Sequence, residues 1–386
     1  MSRKKIIFLE QYSKISGGQK VLLSLINGFK DHYECCVVVP EKGDLTKELE
    51  NLKITYAIFP MGYYSLGKKT PFDIFNYLFR LPYLIQKLTK LIKEKDIGLV
   101  YANGARSFVW GTIACNLTNT SIVWHIHSIF ATGIIRKLCI FFGKNRIVKK
   151  IIVVSRAVKE PLFAIGGKIE LIYNAVDTKL YFPRENKYGP LRKELKIMSN
   201  PLIGIVGFLM EWKGVDDLIR AAKKVSSSHP QAKFAIIGDI LYDIKGQRYK
   251  KYLKGLVNKL NLNNNVIFVG YRKDIPEIMK ELDVFVLASK KPDPCPTSLI
   301  QAMASGVAVI ATNFGGPAEI IRNNEDGLLY TSQNYTELAE KISFLLNNPK
   351  KMTDISHNAC KKIKENYNQI DYLRRIKRII DSSFLK

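Results

Sequence analysis

What this 386-residue chain has little of narrows its function before what it has. Its six cysteines, Cys35, Cys36, Cys115, Cys139, Cys295 and Cys360, are scattered without C-x-x-C spacing. That excludes a zinc ribbon or a disulfide framework and leaves buried free thiols as the expectation. The five histidines form no cluster with metal-ligand spacing, so no metal site is expected. No apolar run reaches the roughly 18 residues needed to span a bilayer. The start, MSRKKIIFLEQ, is basic and then apolar, but Glu10 and Gln11 cut the apolar part short and no small-residue cleavage site follows. It reads as a first buried strand, and the chain is expected to stay in the cytoplasm.

Acidic residues are scarce as well. Asp and Glu number 34 against 60 Lys and Arg, giving +26, and residues 97–159 contain nine basic side chains and no acid. Such a surface attracts polyanions, whether anionic lipid, nucleic acid or phosphorylated substrates. No nucleic-acid-binding module is present, so nucleic acid is not expected as a partner.

What is present alternates. Strand-like apolar runs at 4–10, 35–40, 54–60, 98–104, 121–128 and 150–155 are separated by helix-length segments. The alternation restarts at 202–208, 233–239, 265–271, 283–289 and 307–312, with helices predicted near 246–260, 274–281, 297–305 and 335–347 and a largely helical end. Continuous apolar runs are typical of strands covered on both faces, and strand–helix alternation predicts parallel sheets. The Pro-, Gly-, Asn- and charge-rich stretch 174–200 reads as a linker. The expectation is two Rossmann-like α/β domains, 1–185 and 186–386, facing each other across a cleft, with the final helix able to pack back on the first. Ligands of such folds bind at strand carboxyl ends.

Three segments carry candidate chemistry. The turn SGGQ, with Gly17 and Gly18, opens the first helix, where glycines and free amides suit an anionic group. It is neither a dinucleotide fingerprint nor a Walker loop, and alone a double glycine is a turn more often than a site. In GFLMEWKG (207–214), Lys213 falls where a loop becomes a helix and is placed to clamp a diphosphate, or simply to sit in solvent. In KKPDPCPTSLIQAMASG (290–306), three prolines stiffen a loop before a helix beginning near Thr297. Thr297 and Ser298 can cap that helix or donate to a phosphate, with Asp293 at the mouth and Gln301 one turn inside. Asp216 and Asp217, adjacent on a helix, diverge too far to share a metal and read as surface.

Taken in order, SGGQK, WHIHS, VSRAVKEPL, LIYNAVDTKLYFP, VGFLMEWKGVDDLIRA, FVGYRKDIPEIMKELDVFVLAS, the 290–306 loop and NFGGPAEIIRNNEDGLLY resemble the retaining glycosyltransferases of family 4, nearly end to end. The resemblance implies the GT-B fold and a hexosyltransferase-type activity. The nucleotide-sugar donor, UDP- or GDP-linked, would be held mainly by the C-terminal domain and a glycan or lipid-linked acceptor mainly by the N-terminal one. It places Asp293 and Gln301 at the two ends of the family's Glu-x7-Glu signature, Asp293 toward the donor sugar and Gln301 toward the ribose. Lys213 falls on the diphosphate, and Gly18, Gly207, Tyr271, Thr297 and Ser298 around the donor. Gly17 and His127 go to the acceptor side, with His127 beside the anomeric centre and His125 as its alternative. Both signature positions depart from Glu, and Phe208 stands where many members have arginine. These departures keep open a weakened or inactive scaffold protein as the alternative. No cofactor or metal is implied.

The stretches 71–95 and 133–150 mix aromatic or aliphatic residues with Lys and Arg. They read either as packed helices or as segments lying peripherally on an anionic membrane surface. The second reading points to a lipid-linked acceptor and surface-polysaccharide assembly.

Overall fold

A computed structural model describes residues 3–62, 71–240 and 244–384. The chain divides into two compact units, Met1–Tyr173 with Asp371–Lys386, and Asn174–Ile370. The sequence reading puts the division at 185/186; the stretch 174–185 instead joins the second unit, anchored by a 2.9 Å hydrogen bond from the Asn174 side-chain amide to the Cys295 carbonyl.

The first unit is built on seven parallel strands: β1 (Lys5–Glu10), β2 (Glu34–Val39), β3 (Thr55–Ile58), β4 (Leu99–Asn103), β5 (Ser121–Ile126), β6 (Val148–Val153) and β7 (Ile169–Leu171). They are ordered β3-β2-β1-β4-β5-β6-β7. Ile6, Ile7, Phe8 and Leu9 are all fully buried, as expected for a central strand covered by helices on both faces. The order reverses between β1 and β4, which makes the carboxyl ends of those strands the topological switch point. The last helix, Gln369–Ser383, contributes most of its length to this unit: the Tyr33 hydroxyl donates to Asp381 at 2.6 Å, and the Phe384 ring fills the space above Gly98.

The second unit has six parallel strands, β8 (Leu202–Val206), β9 (Lys233–Ile237), β10 (Val266–Gly270), β11 (Val284–Leu287), β12 (Ala308–Thr312) and β13 (Leu328–Tyr330). Their order is β10-β9-β8-β11-β12-β13, with the switch point between β8 and β11. The core joins Phe234, Ile236, Val284 and Val286 of the sheet to Leu218, Ile219 and Val225 of the helix Val215–Ser228. All six cysteines are free and buried. Among the described residues no helix is long and apolar enough to cross a membrane.

Candidate active site

In the second unit the candidate residues gather at the switch point. After β8 the chain turns through Gly207, Phe208 and a single 3-10 turn, Glu211–Lys213, before the helix Val215–Ser228. Gly214 joins the two in the left-handed region at φ 67°, and a Cβ there would stand 1.9 Å from the Ala288 carbonyl oxygen. Only glycine lets this turn lie against the chain leaving β11. The Lys290 amide donates to the Trp212 carbonyl at 2.6 Å, locking the same approach.

These contacts bring Lys213 to Asp293. Its ammonium lies 2.6 Å from Asp293 Oδ2 and 4.0 Å above the Trp212 ring. Asp293 is buried, and its backbone is clasped by the turn before the helix Gly316–Ile320, with the Gly316 amide donating to the Asp293 carbonyl at 2.7 Å. Phe208 and Lys213 line a small pocket with Gly207, Val206 and Leu287.

The helix Thr297–Ala304 starts four residues past Asp293, with Pro296 at its cap position and no side-chain cap bond. Thr297 and Ser298 therefore do not cap it; they are its first helical residues, half-buried, and their amides belong to the uncapped first turn. Gln301 is half-buried one turn in, and Tyr271 is exposed just beyond β10.

One expectation is corrected here. Asp216 and Asp217 are not surface residues: they are 8% and 4% exposed. Lys290 Nζ reaches both, at 2.6 and 3.5 Å, and the Tyr249 hydroxyl donates to Asp216 at 2.8 Å. Burial pushes the Asp217 carboxyl up to about 6, against the opposing pull of Lys290. The pair holds Lys290, at the start of the 290–306 loop, rather than facing water.

The first unit presents a second polar group at its own switch point. Glu10, the last residue of β1, is fully buried, and burial raises its carboxyl to about 7. Its Oε1 accepts from the amides of Gln11 (2.7 Å) and Tyr12 (3.0 Å) and from Gln19 Nε2 (3.0 Å). Its Oε2 accepts from Asn103 Nδ2 at 2.7 Å. Asn103 ends β4, and its Oδ1 lies 2.9 Å from His127 Nε2, one residue past the end of β5. The His125 ring lies with its centroid 4.0 Å from that of His127, tilted by 43°, on the same face as strand periodicity requires of residues two apart, and His125 Nδ1 meets the Tyr101 hydroxyl at 2.9 Å. Enclosure by protein lowers His127 to about 4, so the ring is neutral at pH 7.

Gly17 and Gly18 open the helix Gly17–Phe29, whose cap Ser16 is tied by its amide to Gln19 Oε1 at 3.1 Å. No atom lies within 4 Å of where a Gly18 side chain would begin. Sequence reasoning missed Glu10, Gln19, Asn103, Asn174 and Lys290. A signal was present for Glu10, a carboxylate closing an otherwise apolar strand.

Two units built on parallel Rossmann-like sheets, each with polar residues gathered at its switch point, define an α/β protein of the GT-B type. Comparison with known proteins takes the class further. Residues 190–362 match the family model "Glycosyl transferases group 1", and residues 15–180 match "Glycosyltransferase Family 4". The crystal structure of Anabaena HepE in complex with UDP superposes with a TM-score of 0.84 at 26% identity, covering 98% of this chain and all of that one. The chain is 28% identical over 313 residues to an Escherichia coli UDP-Gal:alpha-D-GlcNAc-diphosphoundecaprenol alpha-1,3-galactosyltransferase, covering 75% of this chain and 76% of the relative. It is 24% identical over 379 residues to the Campylobacter jejuni N,N'-diacetylbacillosaminyl-diphospho-undecaprenol alpha-1,3-N-acetylgalactosaminyltransferase, covering 93% and 95%. The chain is a glycosyltransferase of the GT-B fold.

Proposed function

We propose that this enzyme moves a sugar, with retention, from a UDP- or GDP-linked donor to a lipid-linked glycan during surface-polysaccharide assembly. The observation that carries the donor half is the Lys213–Asp293 pair, four residues ahead of an uncapped helix start at the β8/β11 switch point. Lys213 and the amides of Thr297 and Ser298 take the diphosphate as it leaves. Asp293 holds the donor sugar and Gln301 the ribose hydroxyls, while Gly18, Gly207 and Tyr271 border the donor. Gly17 and His127 serve the acceptor side. The sugar–phosphate bond breaks as the acceptor hydroxyl bonds to the anomeric carbon on the same face and gives up its proton to the departing diphosphate oxygen, and stabilising that diphosphate supplies most of the acceleration. Lysine and helix amides, rather than a metal, neutralise that charge. Phe208 removes one cation that many relatives have, leaving Lys213 as the principal one.

Two relatives' names support the acceptor half, since both specify undecaprenol-linked diphosphates. Complexes of HepE with UDP and with UDP-glucose support a UDP donor. Calorimetry across UDP, GDP, ADP, CDP and TDP, followed by hydrolysis of the matching nucleotide sugars, tests the donor half. Micromolar binding of one diphosphate, and turnover lost in Lys213→Ala and Asp293→Ala, is expected. No association at millimolar concentration sinks it.

A further inference from the structure

We propose that Glu10 is a positioning residue which, through Asn103, fixes the proton of the His127 ring on Nε2 and leaves Nδ1 as the hydrogen-bond acceptor. The argument is one of donor and acceptor counting. Oε1 of Glu10 receives three donors, the amides of Gln11 and Tyr12 and the side chain of Gln19. Above pH 7, where the Glu10 carboxyl is ionised, its other oxygen has only acceptor capacity, so the Asn103 side chain must turn its NH2 toward it, as it does at 2.7 Å. That leaves the Asn103 carbonyl oxygen facing His127, 2.9 Å from Nε2. A carbonyl oxygen only accepts, and therefore the neutral ring carries its proton on Nε2.

Each link is buried or half-buried, so water does not readily substitute for a missing partner. The chain also runs across the switch point, joining the ends of β1, β4 and β5 to the start of the helix Gly17–Phe29. An acceptor at Nδ1 suits a ring that meets a sugar hydroxyl and orients it; a donor there would not accept that proton. This consequence for turnover rests on the placing of His127 beside the reacting sugar. The tautomer itself does not.

Glu10→Gln inverts the relay. Its Oε1 stays with the three donors, so its NH2 points at Asn103, whose amide must flip and offer NH2 to His127 Nε2. The ring proton then moves to Nδ1. Adding Asn103→Asp restores the original polarity, since a carboxylate at position 103 accepts both from the new side-chain amide at position 10 and from Nε2–H. The experiment is 15N NMR of the full chain labelled at histidine, run near pH ~8.5 so that Glu10, with its carboxyl at about 7, is ionised, with His125→Asn and His127→Asn used for assignment. Expected is an Nε2–H ring in the native protein, an Nδ1–H ring in Glu10→Gln, and Nε2–H again in the double variant. Transfer activity should fall at least tenfold in the single variant and be largely regained in the double. A native ring protonated at Nδ1 overturns the proposal even if no variant folds, and so does an Nε2–H ring that survives Glu10→Gln. If the tautomers behave as stated but activity is indifferent to them, the relay stands and the placing of His127 beside the sugar fails.

Discussion

Lys213 Nζ stands 2.6 Å from Asp293 Oδ2, which means that the cation proposed for the diphosphate is already neutralised by the carboxylate proposed for the sugar. A nucleoside diphosphate entering without its sugar must compete with Asp293 for the same ammonium. Asp293→Asn removes that competitor together with its repulsion of the phosphates. UDP, or whichever diphosphate the native enzyme selects, should then bind up to about tenfold tighter, equivalent to about 1.4 kcal/mol. Turnover of the nucleotide sugar should fall by more than that factor, because the sugar loses its charged partner. Unchanged or weaker diphosphate binding, read by titration calorimetry, would separate Asp293 from the donor site.

How much of this was legible beforehand depended on how far apart in sequence the interacting residues lie. The central strands were, because runs such as IIFL and VFVL are apolar at every position and only a strand covered on both faces buries them all. The edge strands β7 and β13 were not: at three residues each they are too short to show a period. Asp216 and Asp217 were misread because helix geometry says that neighbouring side chains diverge, while saying nothing of Lys290, 74 positions on. Glu10 read only as the interruption of an apolar stretch. Its partners at 11, 12 and 19 are local, but Asn103 is 93 residues away and arrives only when β4 pairs with β1. The GxxxxxKG pattern placed Lys213 correctly on a turn but could not reveal that Gly214 is held by contact with Ala288.

That contact gives a stability prediction. Gly214→Ala forces a side chain into φ 67° and sets its Cβ against a backbone carbonyl, which cannot rotate away as a flexible side chain would. A loss of about 3 kcal/mol is expected, combining left-handed strain with displacement of the β11 end. Gly18→Ala is the control, since open space surrounds that position, and its stability should stay within about 0.5 kcal/mol of the native value. Urea midpoints of the two variants decide it; equal midpoints would show that the close approach at Ala288 relaxes freely. If Gly18→Ala nonetheless loses transfer activity, Gly18 borders a ligand.

The Glu10 and His127 shifts act on stability in opposite senses. Glu10, raised from 4.5 to about 7, binds its proton more tightly in the folded chain. Its contribution is complete below pH 4.5 and is lost as pH rises through about 7. His127, lowered from 6.5 to about 4, resists protonation when folded, so its contribution is present above pH 6.5 and is lost as pH falls toward 4. Each shift corresponds to about 3 kcal/mol at its limit, so the two largely cancel between pH 4.5 and 6.5. Glu10→Gln removes one side of that balance. Its stability relative to the native chain should drop by about 2–3 kcal/mol between pH 7.5 and 4.5. Urea denaturation at the two pH values measures this, and a pH-independent difference would mean that Glu10 titrates normally.

The last prediction concerns where the acceptor is met. Along the helix Pro71–Lys95, Phe72, Phe75 and Phe79 are 71%, 67% and 77% exposed, and along Gly133–Gly143 Ile134 and Phe141 are 68% and 72% exposed. Their spacings of three, four and seven residues put each set on one helical face, turned away from the core that an amphipathic helix ordinarily covers with its apolar side. Both helices pack on the intervening helix Ala105–Thr118, and the exposed Lys137, Lys144 and Arg146 lie within or just beyond the second. Exposed aromatics beside cations are the composition of a surface that enters the interface of an anionic bilayer, the aromatics supplying burial and the cations attraction. Vesicles containing anionic phospholipid should therefore pellet the protein, and neutral vesicles should do so far less. Phe79→Ser with Phe141→Ser should weaken pelleting at least tenfold without moving the thermal midpoint, because neither ring is buried in the fold. High salt should weaken the native protein's binding as well, since part of the attraction is screened. Binding that persists unchanged in the double variant would assign the contact to charge alone, and absence of native binding at low salt would leave the exposed rings without a membrane role.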